Sequence, residues 1–170
     1  PEQCKGLILR GIFMIRKQEI DWFYQKGASY IYPDAWEKYL APIPENEHHD
    51  LVSAYYKRLT ADNQSTRLEA AKAWSIWEAS TSRLLPNNNS LHQFDNPKVA
   101  DSFARIECHY FKNGGFFESD EWILENVTTI QDLPSVIIQG RYDVVCPATS
   151  AWVLHKKLPN ADFHIIPNAG

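Results

Sequence analysis

The apolar run at residues 135–139, which leads into Gly140-Arg141-Tyr142-Asp143, constrains the fold of this chain more than any other feature. A run of this length, rich in β-branched residues and ended by glycine, predicts a buried strand. That strand delivers the carboxylate of Asp143 to its C-terminal tip. Because open α/β sheets gather their chemistry outside the carboxyl ends of their strands, the pattern predicts an α/β sheet with Asp143 at the functional edge.

Strand and helix patterns elsewhere predict that this sheet is interrupted by a long helical insertion. Residues 135–140, 148–158 and 162–166 follow the order strand, helix, strand, which is typical of a βαβ unit with parallel strands. Another strand is expected over residues 6–11. We therefore expect an α/β core formed by residues 1–13 and 132–170, and an all-helical cap domain formed by residues 14–131.

The helices of the cap are predicted from amphipathic spacing and from residues typical of helix ends. Thr66 and Glu69 have the spacing of a capping box, and a polar loop is expected over residues 86–90. The predicted helices cover residues 16–24, 33–40, 44–59, 66–83, 97–114 and 120–126.

Composition and charge exclude several classes of function. The net charge is -4, which does not favour a nucleic-acid partner, and no apolar run is long enough to predict a membrane span. The three cysteines are odd in number and widely spaced, so we expect a reducing, cytoplasmic compartment with neither a disulfide framework nor a metal site. The first residue is Pro1, so we expect an internal piece of a larger protein.

Two glutamates occupy apolar helix faces, where a carboxylate is costly to bury. Glu78 follows Trp74 at the spacing i+4, and Glu107 follows Phe103 at the same spacing. One interpretation is a pair of structural ion pairs, with Arg105, Arg83 or Arg10 as partners. The other is functional, because two carboxylates aimed at one point would hold a substrate ammonium group and select strongly for positive charge.

Asp143 likewise has two interpretations. It is either a helix N-cap or turn residue after the strand, or the acid of a Ser-His-Asp triad that holds the histidine tautomer. In α/β hydrolases the triad order along the chain is Ser, Asp, His. The nucleophile should then precede Pro1, and the histidine should follow the strand at 162–166. His164 lies inside that strand and is a weaker candidate.

Four further segments, together with Gly140-Arg141-Tyr142-Asp143 and Cys146, resemble proline iminopeptidases (prolyl aminopeptidases), which are serine peptidases of the α/β-hydrolase fold. The match extends over essentially the whole chain, with the motifs in the right order. The segments are Leu9-Arg10-Gly11-Ile12-Phe13, Trp22-Phe23-Tyr24-Gln25-Lys26-Gly27-Ala28-Ser29, Ala70-Ala71-Lys72-Ala73-Trp74-Ser75-Ile76-Trp77-Glu78 and Ala104-Arg105-Ile106-Glu107-Cys108-His109-Tyr110-Phe111.

The resemblance implies release of N-terminal proline from peptides, without a cofactor, and it implies a role for several residues. Asp143 is the triad acid under this resemblance, and Glu78 and Glu107 bind the N-terminal imino group. Phe23 stands where the family usually has tyrosine in the substrate site, and Cys108 stands where it usually has asparagine. The remaining implied site residues are a supporting arginine and two residues of the proline pocket: Arg10, Phe13 and Cys146.

Other functions stay open at this point. Another α/β hydrolase, such as an esterase or an epoxide hydrolase, would use the same acid without an amine-binding pair. A catalytically inactive fragment or an interaction module is a further alternative, because the triad serine and histidine are not in these 170 residues. We expect no hydrolysis by these residues alone, and we expect peptides with N-terminal proline, rather than nucleic acid or membrane, as partners of the complete enzyme.

Overall fold

The computed structural model describes residues 3–85, 94 and 96–170. Within them the strands form one three-stranded parallel sheet in the order β1-β2-β3, with β1 at Leu7–Arg10, β2 at Ser135–Gly140 and β3 at Asp162–Ile166. Leu7 lies opposite Ser135 and Val136 lies opposite Asp162. This confirms the predicted strands and the parallel βαβ unit. The polar loop predicted at residues 86–90 lies outside the described residues.

The helices alternate with short turns and mostly follow the sequence pattern. Helix α1 continues without a break into a π-helical turn at Asp21–Gln25, and 3₁₀ turns lie at Ala28–Tyr30, Glu45–Glu47, Gly114–Phe116 and Val127–Ile130. The helices are α1 at Lys17–Ile20, α2 at Pro33–Leu40, α3 at Leu51–Leu59, α4 at Gln64–Thr81, α5 at Pro97–Lys112, α6 at Trp122–Asn126 and α7 at Ala148–Lys157.

Two predictions about helix starts are wrong, for a shared reason. The predicted helix at 44–59 is a 3₁₀ turn followed by α3, because the Asp50 side chain accepts a hydrogen bond from the Ser53 amide at 3.1 Å and starts a new helix there. The capping box at Thr66 and Glu69 does not form, because Asn63 accepts from the Thr66 amide at 3.0 Å and starts α4 earlier. In both places a short polar side chain takes the exposed first-turn amide.

The buried side chains form two hydrophobic clusters. The larger one, the helical cluster, is rich in aromatic residues and is formed by α1 to α5 with their connecting turns, with Trp74 and Trp77 near its centre. The other, the sheet cluster, is formed by residues in or near the strands, α6 and α7: Ile12, Met14, Leu124, Val127, Ile137, Ala151, Leu154, Leu158 and Ala161. The chain is therefore a mixed α/β structure. The domain boundaries predicted at 13/14 and 131/132 stay predictions.

One contact joins the sheet to the helices. Val144 and Val145, directly after Asp143, pack against the helical cluster, so the turn after β2 touches the helices. Among the described residues, none of the helices combines the length and the apolar character that a membrane-spanning segment needs.

Candidate active site

Glu78 and Glu107 face each other across the packed helices α4 and α5. The Glu78 side chain is buried, and Glu107 is partly buried. Burial raises the pKa of Glu78 well above its ordinary value, and the negative charge of Glu107 raises it further. Burial likewise raises the pKa of Glu107 to about 7. Both carboxyl groups therefore hold a proton to higher pH than an exposed glutamate does.

The structural ion pair considered as an alternative has no counterpart at these glutamates. Across residues 3–85, 94 and 96–170, no salt bridge joins Glu78 or Glu107 to a cationic side chain. Arg105, one of the expected partners, instead lies 3.7 Å from a carboxylate oxygen of Asp101. Two carboxylates therefore lie in an apolar setting without a cationic partner among the described residues. A positively charged group could bind between them.

Tyr24 and Trp74 supply neutral donors to the pair. The Tyr24 hydroxyl donates to Glu78 Oε1, and the Trp74 indole Nε1 donates to Glu107 Oε2 at 2.7 Å. The two rings stack with centroids 4.5 Å apart. Burial, with the charges of both glutamates, raises the pKa of Tyr24 well above its ordinary value, so its hydroxyl stays protonated and remains a donor.

The sequence analysis did not single out Tyr24, and the π-helical turn explains why. The backbone N–H of Lys26 donates to the carbonyl of Asp21 at 2.8 Å, which inserts one extra residue into the turn and aims Tyr24 at the glutamates. The sequence signal that could have identified Tyr24 is its hydroxyl on an otherwise apolar helix face. The neighbouring Phe23 is fully buried against Trp77, with ring centroids 5.2 Å apart, and supports Tyr24 from behind. Its contact with substrate stays a prediction.

Asp143 lies in the turn that follows β2, and its carboxylate is held from two sides. Oδ1 accepts from the Cys146 amide at 2.8 Å, and Oδ2 lies 3.4 Å from Nε2 of the buried Gln139. The Gln139 amide also donates to the Cys146 carbonyl at 2.9 Å, which closes the turn. Because Pro147 immediately precedes α7, Asp143 is a turn residue and not the N-cap of that helix.

The chain after β3 returns to this turn. The backbone N–H of Tyr142 donates to the Ala169 carbonyl at 2.8 Å, and that of Arg141 donates to the Ile166 carbonyl at 3.0 Å. Gly140 permits the approach, because a Cβ there would lie 2.8 Å from the Ala169 oxygen. Residues 166–170 are thereby held beside Asp143.

Cys146 connects the acid turn with the glutamate pair. Burial raises the pKa of its thiol to about 12, and the charges of Asp143, Glu78, Glu19 and Glu107 add to that effect. All four carboxylates therefore lie within electrostatic range of one sulfur atom. A thiol with so high a pKa is a neutral wall residue at physiological pH rather than a nucleophile.

The remaining predicted site residues are placed differently from one another. Phe13 contacts Phe111 edge to face at 5.4 Å, and Phe111 in turn lies 5.0 Å from Tyr24, so Phe13 borders the glutamate site. Arg10 is exposed at the end of β1 and lines a groove there with Trp122. The roles of these residues stay predictions.

The remaining features concern Cys108 and the side chains that could bind a metal. Cys108 is fully buried, its thiol lies 3.5 Å from the Val52 carbonyl, and burial raises its pKa. Within the described ranges, no group of three or more histidine, cysteine, aspartate or glutamate side chains could hold a metal ion.

Comparison with known proteins bears on the whole chain. No family model matches it. It is 58% identical over 170 residues to a probable proline iminopeptidase of Leptolyngbya boryana, covering all of this chain and 53% of that protein. It is 54% identical to a proline iminopeptidase of Xylella fastidiosa, covering all of this chain and 54% of that protein. It is 51% identical over 171 residues to one from Arabidopsis thaliana, covering all of this chain and 45% of that protein. The chain thus spans about half the length of the curated relatives it matches.

Proposed function

We propose that this chain is the central section of a proline iminopeptidase, a serine-type aminopeptidase that releases N-terminal proline from peptides. The observation that carries the proposal is the buried carboxylate pair of Glu78 and Glu107, which faces neutral donors and no cationic side chain among the described residues. The named relatives, similar over the full length of the chain, support the same activity. Under this proposal the sheet belongs to an α/β-hydrolase core and the helices form its cap.

The carboxylate pair would bind the secondary ammonium group of an N-terminal proline. A peptide with a blocked N-terminus offers no positive charge and leaves both carboxylates unpaired in a partly desolvated site. Leaving buried polar groups without partners costs on the order of 1–3 kcal/mol for each group, and more for charged ones. The pair therefore sets an exopeptidase register, because the scissile carbonyl always lies one residue from the bound amine.

The chemistry would be acyl transfer at the acid turn. In the proposed full-length protein, a serine before Pro1 attacks the prolyl carbonyl, and a histidine after Gly170 takes the serine proton and gives it to the leaving amine. Water then attacks the acyl-enzyme and releases proline. Asp143 orients the histidine and stabilises its charged form. The return of residues 166–170 to the Asp143 turn supports this assignment, because it directs the following residues towards the carboxylate.

The other site residues take supporting roles in this proposal. Phe13 and Cys146 line the proline pocket, Phe23 holds Tyr24 in place, and Arg10 acts at the edge of the site. Hydrolysis needs no metal or cofactor in this mechanism, and the enzyme would act on peptides in the cytoplasm.

Kinetics of the full-length protein, meaning this chain with its flanking sequence, test the amine-binding role. Glu78→Gln and Glu107→Gln should each raise KM for a prolyl anilide far more than KM for a small neutral ester. Equal effects on the two substrates would contradict amine binding. Activity on esters or epoxides without any prolyl activity would favour the rival α/β hydrolases.

A second variant tests the acid. Asp143→Asn should lower kcat by about 10³–10⁴-fold with little change in KM, because the histidine loses its correct tautomer. Near-normal turnover would mean that Asp143 is only a turn residue. If the unaltered full-length protein showed no hydrolysis at all, a non-catalytic role would be favoured instead.

A further inference from the structure

We propose that the segment Lys17–Gln25, consisting of α1 and the π-helical turn and here called the strut, positions the carboxylate pair relative to the catalytic acid. Trp22 and Glu19 are its positioning residues. The inference rests on the proposed function, because the strut would set the distance between the bound amine and the scissile carbonyl.

The first link joins the π turn to the acid turn. The Trp22 indole Nε1 donates to the backbone carbonyl of Val144 at 2.8 Å, and Val144 is the residue directly after Asp143. Tyr24, two residues further along the same turn, donates to Glu78. One π turn therefore contacts both halves of the site, and a change in its position moves one half relative to the other.

The second link joins the start of the strut to α7, the helix that follows the acid turn. The Ser150 hydroxyl on α7 is fully buried and donates to Glu19 Oε1 at 2.5 Å. The same carboxylate accepts from the Arg16 guanidinium at 2.9 Å and from the backbone amides of Met14 and Arg16 at 2.9 and 3.1 Å. Four donors saturate Glu19, which fixes the strut against the core.

The two backbone amides bound by Glu19 flank a residue in an unusual conformation. Ile15 has φ 60°, in the left-handed region, which costs roughly 1–2 kcal/mol for a residue with a Cβ and more for a β-branched one. The carboxylate that bridges the amides on either side compensates for this cost. The direction in which the chain leaves the sheet and enters the strut is thereby determined by Glu19.

Close packing limits movement at the other end of the strut. A Cβ on Gly27 would lie 2.4 Å from the ring of Trp22 and 2.6 Å from its backbone oxygen, so the chain crosses directly over this tryptophan. Trp22 is thus held from above by the backbone and from its edge by Val144. Such a side chain transmits displacement between the cap and the acid turn.

The kinetic consequence is selective for substrates that use both halves of the site. A displacement of about 1 Å between a bound substrate and its catalytic groups can lower the rate on the order of 10²-fold. A prolyl substrate is held at its amine by the glutamates, so its carbonyl position depends on the strut. A small neutral ester has no amine for the glutamates to bind, so the position of its carbonyl does not depend on the strut.

The test uses the full-length protein with Trp22→Phe, which keeps an aromatic ring but removes the indole donor together with part of the ring system, and Ser150→Ala. We expect kcat for a prolyl anilide to fall about 10-fold or more in each variant, with KM within threefold. Hydrolysis of 4-nitrophenyl acetate should stay within about threefold of the unaltered protein. Trp152→Phe is the matched control, since Trp152 is a half-exposed tryptophan on α7 that packs on Phe163, and neither substrate should be affected.

The outcomes separate this proposal from the proposed function. If the unaltered protein releases no proline, the proposed function fails. If it does, but Trp22→Phe slows both substrates equally or neither, the strut proposal is overturned. Hydrogen exchange gives a readout that does not depend on activity: the amides of residues 141–146 should exchange at least about tenfold faster in Trp22→Phe than in Trp152→Phe, and equal rates would also overturn it.

Discussion

Buried glutamates occur in two regions of this molecule, and the regions treat them in opposite ways. At the junction between the sheet and the helices, Glu19 accepts from four donors, one of which is the cationic Arg16. Between α4 and α5, Glu78 and Glu107 have neutral donors and repel one another. Burial alone is therefore a poor guide to role, whereas the supply of donors and cations separates the structural carboxylate of Glu19 from the pair that we propose binds a positively charged ligand.

The largest effect that would test this comparison is on stability at the junction. Glu19→Gln replaces the buried carboxylate that binds Arg16 with a neutral amide, whose NH2 group would face groups that are themselves donors. We therefore expect the free energy of unfolding of the full-length protein to fall by about 3 kcal/mol. Urea unfolding measures it. The control is Glu121→Gln, whose side chain is 48% exposed and lies 3.8 Å from Arg16, and which should change stability by less than about 0.5 kcal/mol. Equal effects would contradict the comparison.

The pH dependence of stability should expose the other region. The pKa of Glu107 is raised from its ordinary 4.5 to about 7, so the folded protein binds more protons than the unfolded chain between those values. Stability should therefore fall as pH rises from about 4.5 through about 7, by an amount on the order of 2 kcal/mol. Urea titrations at a series of pH values measure the slope. The double variant Glu78→Gln, Glu107→Gln should remove it, and an unchanged slope would show that other groups cause it.

Neutralising one member of the pair should act opposite to neutralising Glu19. Glu78→Gln removes a buried group whose charged form is disfavoured by burial and by Glu107, so we expect the free energy of unfolding at pH 8 to stay constant or rise by about 1 kcal/mol. Urea unfolding beside Glu19→Gln gives the comparison directly. A loss as large as that of Glu19→Gln would mean that Glu78 is a structural carboxylate with a partner.

The smallest effect sharpens the role of the hydroxyl donor. Tyr24→Phe keeps the ring that stacks on Trp74 and removes the hydrogen bond that lowers the pKa of Glu78. The pair then holds its proton to higher pH, and a protonated pair binds an ammonium group poorly. We expect the rise in KM for prolyl substrates on acidification to begin roughly 0.5–1 pH unit higher. A pH profile of KM measures this shift, and an unshifted profile would argue against Tyr24 as a donor.

Local patterns predicted much of this architecture. The bounds of β2 and β3 followed from β-branched runs ended by glycine or proline, and the inward position of both glutamates followed from helical spacing. Each of these depends on residues close together in sequence.

The parts that escaped prediction depend on distance along the chain or on an irregular turn. Glu19 follows the polar residues at 16–18, a pattern typical of an exposed helix face, and its partner Ser150 lies 131 positions away in sequence. Tyr24 reaches Glu78 only because the helix widens into a π turn, which no periodicity in this segment announces. Long-range pairing decided one case, and backbone geometry decided the other.

The π turn also makes chain length a part of the site. Successive residues of an α-helix are rotated by about 100°, so deleting or inserting one residue before Tyr24 would swing its hydroxyl away from Glu78 while leaving the composition almost intact. Evolution can vary the side chains of this stretch one at a time, but a single-codon insertion or deletion would separate Tyr24 from the glutamates in one step. Related genes should therefore differ here by substitution and agree in spacing.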